Sequence, residues 1–178
     1  MLNYKRHFIK VLIVGDGGVG KTTLIQRFIF GEFLQMKMTV GTDILSHTKI
    51  YNDDTKLEVQ LWDFAGERRF RFFLPSYCRG AKGCLLCYDI TREYSFQNLA
   101  EWYKIIKDNA PNPIIFLVGC KFDLEQDCRV IESKKAKMFQ KNYKIHQFYE
   151  TSSKSGYNIK ELFDSLIDSL YFSYSGED

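Results

Sequence analysis

The chain is poor in proline and in histidine, with three of each in 178 residues. No internal repeat, linker or low-complexity stretch is present. The three histidines, His7, His47 and His146, are scattered and form no metal site. There is no apolar run of about eighteen residues, the length a membrane-spanning helix needs, and the N-terminus lacks a signal-peptide pattern. Neither sign of charge dominates: a formal net charge of +3 is too small to argue for nucleic acid or a membrane surface. Five cysteines are an odd number, which argues against a complete disulfide framework and for a reducing, cytoplasmic compartment. What is present is ordinary: 45% hydrophobic and 26% charged residues, in a length that suits one domain with a sizeable core.

One stretch stands out, Gly15-Asp16-Gly17-Gly18-Val19-Gly20-Lys21-Thr22. It follows the apolar run Phe8 to Val14, which reads as a buried strand. It precedes a helix in which Leu24 and Phe28 share a face. A glycine-rich turn between strand and helix is an anion site, because its N–H groups and the helix N-terminus point at one spot. Two fingerprints fit. As G-x-G-x-x-G (Gly15, Gly17, Gly20) it would be a dinucleotide-binding crossover. As G-x-x-x-x-G-K-[ST] it is a P-loop, in which Lys21 reaches the β- and γ-phosphates and the Thr22 hydroxyl ligates Mg²⁺. The dinucleotide reading also needs an acidic residue at the end of the next strand, and none is clear. The P-loop reading is adopted.

Along the rest of the chain, Gly31 is a helix C-cap. Ile44–Tyr51 and Lys56–Trp62 read as strands joined by the turn Asn52-Asp53-Asp54. Leu57, Val59 and Leu61 alternate with Glu58 and Gln60, so this hairpin supplies an antiparallel edge. Cys84–Tyr88 and Ile114–Val118 are short apolar runs expected of central parallel strands. Cys84-x-x-Cys87 has a metal or redox spacing, but residues three apart on a strand face opposite sides, so these are buried structural thiols. Phe96, Leu99, Tyr103 and Ile106 form a helical stripe. Ser133–Gln140 reads as a helix and His146–Tyr149 as a last strand. Ile159, Leu162, Phe163, Leu166, Ile167 and Leu170 stripe a final helix. The pattern predicts an α/β fold: a doubly wound, mostly parallel six-stranded sheet with one antiparallel edge strand and helices on both faces. Its ligand is expected at the C-terminal strand ends.

Three motifs follow strands that would end beside the P-loop. Asp63-x-x-Gly66 places a carboxylate that can hold Mg²⁺ through its waters, and a glycine whose N–H can approach a γ-phosphate. Lys121-Phe122-Asp123 places a carboxylate that can accept from N1–H and the exocyclic amine of guanine. Adenine would leave that acceptor unpaired. The stem of Lys121 can cover a base face. In Thr151-Ser152-Ser153-Lys154, a backbone N–H can reach guanine O6. Each would read as a polar loop if it stood alone.

With these motifs in order, the chain from about Lys5 to Leu170 resembles a small GTPase of the Ras superfamily, closest to the Rab branch. Trp62-Asp63-x-Ala65-Gly66, Arg69-Phe70, Ser76-Tyr77-x-Arg79-Gly80-Ala81 and Tyr88-Asp89-Ile90-Thr91 are similar to Rab sequences. The resemblance implies a P-loop NTPase G domain over 1–178, with a core of about 5–170 and a short C-terminal tail, 171–178. It implies GTP or GDP bound with Mg²⁺, and a role as a molecular switch in signalling and vesicle trafficking. Gly15, Gly17, Gly18, Val19, Gly20, Lys21, Thr22 and Thr23 would hold phosphates. Thr22, Thr39 and Asp63 would hold the metal, Thr39 and Gly66 the γ-phosphate. Phe33, Cys120, Lys121, Asp123, Ser152, Ser153 and Lys154 would surround the base. Lys21, Thr39 and Glu67 would act in hydrolysis, following a phosphoryl-transfer template for which this family is itself a worked case. Effectors, an exchange factor and a GTPase-activating protein would dock through Thr39–Asp43, Ile44, Trp62 and Glu67–Tyr77.

Three positions depart from the family pattern. Glu67 follows Gly66 where the family has a glutamine that orients water, and an ionised carboxylate cannot donate a hydrogen bond. Slow hydrolysis is expected, although Glu67 could serve as a general base, or Arg68 and Arg69 could offset its charge. Cys120 replaces the asparagine that braces the P-loop, so weaker binding and faster exchange are expected with guanine selectivity kept. The sequence ends without a cysteine to prenylate, and residue 2 is leucine, so no lipidation motif is visible; the protein would be soluble, recruited to membranes by a partner, or longer than the sequence given. In Arg68-Arg69-Phe70-Arg71-Phe72-Phe73, the plain expectation puts Phe70 and one other ring in the core and the arginines in water. The alternatives to a switch are a nucleotide-binding module with little hydrolysis and a P-loop small-molecule kinase. The kinase would need a lid for which the connections look too short.

Overall fold

The computed structural model describes residues 5–34, 39–51 and 55–175, with 174 and 175 described by backbone alone. The expected turn Asn52–Asp54 and the final residues of the tail lie outside these. Six strands, β1 (Lys5–Val14), β2 (Thr42–Tyr51), β3 (Thr55–Phe64), β4 (Ala81–Asp89), β5 (Ile114–Cys120) and β6 (Gln147–Glu150), form one sheet in the order β2-β3-β1-β4-β5-β6. Only β2 runs antiparallel, pairing Ile44 with Trp62 and His47 with Val59. Strand β1 lies parallel between β3 and β4. The strand order therefore reverses beside β1, and in open α/β sheets that is where ligands bind.

Both faces of the sheet are covered, which is why the central strands read as continuous apolar runs. On one face α1 (Lys21–Phe30) and α7 (Ile159–Ser175) bury Leu24, Ile25, Leu162, Phe163 and Leu166 against Val11, Ile13, Val59 and Val118. The other face carries α2 (Leu74–Cys78), α3 (Glu93–Gln97), α4 (Leu99–Asn109) and α6 (Ser133–Asn142), with α5 (Glu125–Cys128) after β5. There Leu99, Trp102, Ile106 and Ala136 pack on Leu12, Val14, Leu86 and Leu117. Cys84 belongs to the second core and Cys87 to the first, so the two thiols face opposite sides as their spacing required.

Two expectations about helices change. The stripe from Phe96 to Ile106 is two helices, α3 and α4, meeting at Asn98. Trp102 is fully buried beside Leu99 and Ile106, whereas Tyr103, expected in the stripe, is half-buried. The final helix continues past Leu170 through Ser175. Gly31 does cap α1: at φ 72° its N–H donates to Arg27 O. Among the described residues, no helix is long and apolar enough to cross a membrane.

Phe163 is fully buried and stacks on Phe28 with ring centroids 4.0 Å apart. Phe163→Ala should destabilise the fold by about 3–5 kcal/mol, read as a lower denaturant midpoint. A midpoint shift equivalent to under about 1 kcal/mol would show that α7 is not held by this contact.

Candidate functional site

The loop from Gly15 to Thr22 joins β1 to α1 beneath a cavity of about 380 Å³. Gly15 has φ 142°, and a Cβ there would lie 2.1 Å from the Cys87 carbonyl oxygen, so only glycine fits between the loop and β4. Lys21 opens α1 and is 5% exposed. Its Nζ donates to Gly15 O at 2.8 Å and Asp16 O at 2.9 Å. Burial pushes its pKa below the usual lysine value, opposed first by the Asp63 charge.

Beside Lys21 three oxygens converge. Thr22 Oγ1 lies 2.7 Å from Thr39 Oγ1 and donates to Asp63 Oδ2 at 2.5 Å, while Thr39 Oγ1 donates to the same oxygen at 3.2 Å. Asp63 is 1% exposed, and its other oxygen, Oδ1, is buried with no hydrogen-bond partner among the described residues. Burial raises its carboxyl above the usual range, opposed by the Thr22 hydrogen bond and then by Lys21. Hydroxyls and a carboxylate with a spare oxygen are a hard donor set, which fits Mg²⁺.

At the other end of the cavity, Lys121 has φ 68° and opens a 3₁₀ turn over Phe122–Leu124. Ser152 Oγ donates to Asp123 Oδ1 at 2.6 Å, and Phe122 N–H to Thr151 O at 2.9 Å. The two loops are thus joined, and stacking of Phe122 on Tyr157 (centroids 4.7 Å) reinforces the join. Cys120, 3% exposed, lies under the phosphate loop and lines the cavity. Burial raises the pKa of its neighbour Cys87 well above the usual thiol value, and a hydrogen bond to Cys120 adds to this.

The cavity is lined by Gly17, Gly18, Gly20, Lys21, Thr22, Thr23, Phe33, Thr39, Gly66, Glu67, Cys120, Lys121, Asp123, Ser153 and Lys154, all named above from the sequence, and also by Leu124. Four expected residues lie behind that wall: Val19, Asp63 and Ser152 are buried, and Gly15 meets Lys21 through its carbonyl. Gly66 packs on the phosphate loop so closely that a Cβ would fall 2.2 Å from Gly17 N.

The Arg68–Phe73 segment is a 3₁₀ turn that departs from expectation. Phe70 packs on the core, but Phe72 is 84% and Phe73 52% exposed. Arg71, expected in water, is 8% exposed instead. It donates to Asp16 Oδ1 at 2.7 Å and Glu101 Oε2 at 2.5 Å, and its guanidinium lies 4.4 Å from the Trp102 ring centroid. Asp16 also accepts from Asn98 Nδ2 and Trp102 Nε1. The carboxylate that draws Arg71 inward is Asp16, which the loop motif left unassigned. Glu67 pairs with Arg69 at 2.7 Å. Ile44 faces Trp62 across the β2–β3 ladder, and Trp62 meets Tyr77 with centroids 5.8 Å apart, so these three of the residues expected to meet partners are contiguous.

A sheet with a phosphate loop at its order reversal, and an aspartate loop at the far end of the same cavity, defines the P-loop GTPase fold. A family model described as "Ras family" matches residues 10–172. The chain is 38% identical over 172 residues to Ras-related protein Rab-13 of Rattus norvegicus, covering 96% of this chain and 83% of that protein. It is 39% identical over 162 residues to Ras-related protein RAB1BV of Beta vulgaris (90% and 74% covered). To Ras-related protein RABA1f of Arabidopsis thaliana it is 36% identical over 167 residues (93% and 76%). The chain belongs to the Ras family, on its Rab branch. It is a Rab-like small GTPase, a GTP hydrolase of the molecular-switch type, and the reading as a module without hydrolysis is not favoured.

Because a Cβ at Gly66 overlaps the loop backbone, Gly66→Ala must separate the two segments, at a cost on the order of 1–3 kcal/mol. GTP affinity should fall about tenfold relative to GDP affinity, measured by competition against fluorescent GDP. Equal loss for both nucleotides would show that Gly66 does not face the γ-phosphate.

Proposed function

We propose that the cavity binds GTP or GDP with Mg²⁺ and that this protein is a slow-turnover switch. The phosphates would lie on Gly17 to Thr23, with Lys21 donating to the β- and γ-phosphate oxygens. The base would lie against Lys121, Asp123 and the Ser152–Lys154 loop, with Phe33 at its edge. Thr22, Thr39 and Asp63 would hold Mg²⁺, which supplies positive charge to the β- and γ-phosphate oxygens. The observation that carries this reading is the convergence of Thr22, Thr39 and Asp63 beside the buried Lys21 ammonium.

In hydrolysis, a water oxygen bonds to the γ-phosphorus as the bond to the bridging oxygen breaks, leaving GDP and inorganic phosphate. Thr39 and Gly66 would hold the γ-phosphate in the GTP state and be released afterwards. The loops that carry them lead into Asp43, Ile44 and Trp62 on one side and Glu67–Tyr77 on the other. Those residues are the proposed surface for effectors, an exchange factor and a GTPase-activating protein, and such partners would also provide membrane recruitment.

Glu67 sets the rate. Ionised, it cannot orient water by donation. A unit charge about 5 Å from a phosphate charge is repelled by roughly 3 kcal/mol at an effective dielectric near 20. Its partner Arg69 is 69% exposed, and an exposed pair of this kind is worth about 0.2–1 kcal/mol. Solvent screening of so exposed a charge limits how far Arg69 can offset the repulsion, and slow hydrolysis is the expected result. Glu67→Gln should speed single-turnover GTP cleavage about tenfold; a native rate at or above the variant's would make Glu67 a general base instead.

Cys120 offers a thiol, a weak hydrogen-bonding group, under the phosphate loop. Cys120→Asn should slow GDP dissociation by about tenfold, the size of one or two regained hydrogen bonds. An unchanged rate would mean the loop is braced by other contacts.

A further inference from the structure

Arg92 follows β4 and does not line the nucleotide cavity, yet it reaches the phosphate loop. Its Nη2 donates to Gly17 O at 2.9 Å, across 75 residues of chain. Its Nε lies 3.1 Å from Asp89 Oδ2. Asp89 is fully buried, with Oδ1 fixed by the Thr91 N–H at 2.9 Å and Thr91 Oγ1 at 2.7 Å. Among the described residues its Oδ2 makes only ionic contacts, the second being Lys121 Nζ at 2.6 Å. One carboxylate thus holds two cations. An unbroken chain runs from Gly17 through Arg92 and Asp89 to Lys121, and its two ends both line the cavity.

A peptide unit is planar and trans, so fixing a carbonyl fixes the following N–H in the opposite direction. Held by Arg92, the Gly17 carbonyl sets the direction of the Gly18 N–H. Gly18, at φ 73°, has no side chain to resist rotation of that unit, so an external restraint matters there. The guanidinium suits the task because its fork of donors can meet an acid and a carbonyl at once. We infer that Arg92 is a positioning residue for nucleotide binding, aiming the Gly18 N–H at the outer phosphate of a bound nucleotide. The inference rests on the proposed nucleotide site.

The test compares GDP and GMP, each displacing a fluorescent GDP from native protein, Arg92→Ala and Arg92→Lys. Lysine keeps a charge against Asp89 but gathers its donors on one nitrogen, so it cannot meet Asp89 and Gly17 from two separated nitrogens as Nε and Nη2 do, and it carries the test if alanine disturbs folding. Both variants should bind GDP roughly tenfold more weakly, the effect of one charge-assisted hydrogen bond. GMP affinity should be unchanged, because Arg92 acts on the loop holding the outer phosphate. Equal losses for GDP and GMP would reduce Arg92 to a general structural contact and overturn the inference, as would no loss for either. Native protein that fails to retain GDP would overturn the nucleotide site itself, a different result from native retention with indifferent variants.

Discussion

Lys21 carries a positive charge to a place where only 5% of its surface meets water, and two backbone carbonyls receive it. Carbonyls are neutral, and a buried ammonium without a full counter-charge is costly. The depressed pKa of Lys21 expresses that cost, and the raised pKa of Asp63 expresses the same shortage of solvent on the opposite sign. The two charges partly support each other and leave room for a ligand that brings both an anion and a cation. A nucleotide polyphosphate with its metal is such a ligand. The fold serves this arrangement: β1 delivers the loop, β3 delivers Asp63, and α1 begins at the lysine itself.

Around that centre, the phosphate loop is tied down on two sides by arginines from distant segments. Arg71 holds the Asp16 side chain, which Asn98 and Trp102 also grip, so the start of α4 and the Arg68–Phe73 turn are joined to the loop. Arg92 holds the Gly17 carbonyl from the other direction. Such contacts let a change at one loop be felt at the next. On the proposed reading, the Arg68–Phe73 turn belongs to the surface that partners would meet. The exposed rings of Phe72 and Phe73, 5.5 Å apart, give that turn an apolar surface which the core does not use.

Much of this was legible in the sequence, and the parts that were not share a cause. The phosphate loop, the Asp63–Gly66 turn and the Lys121–Asp123 loop are local patterns, each a few residues long, and the structure brings them to one cavity. Strand periodicity placed the antiparallel β2 and sent Cys84 and Cys87 to opposite faces. What periodicity missed depends on partners far away in the chain. Arg71 reads as a surface residue until Asp16, 55 residues earlier, is seen to receive it. Asn98 divides the expected stripe into α3 and α4, and its side chain bonds to Asp16, 82 residues away. Trp102 fits the stripe's spacing as well as Tyr103 does, and only the packed core decides between them.

The claim at the centre is that this Rab-like GTPase grips its nucleotide through an intact phosphate and metal site while Glu67 holds back turnover. It is tested most directly by loading the purified protein with GTP and Mg²⁺, removing free nucleotide, and following the bound nucleotide over time. The expected result is GTP that stays bound and passes slowly to GDP and phosphate, at a rate on the order of 10⁻⁴ s⁻¹ or below. Loss of nucleotide on removal of the free pool, or complete conversion to GDP within the first minutes, would contradict the account.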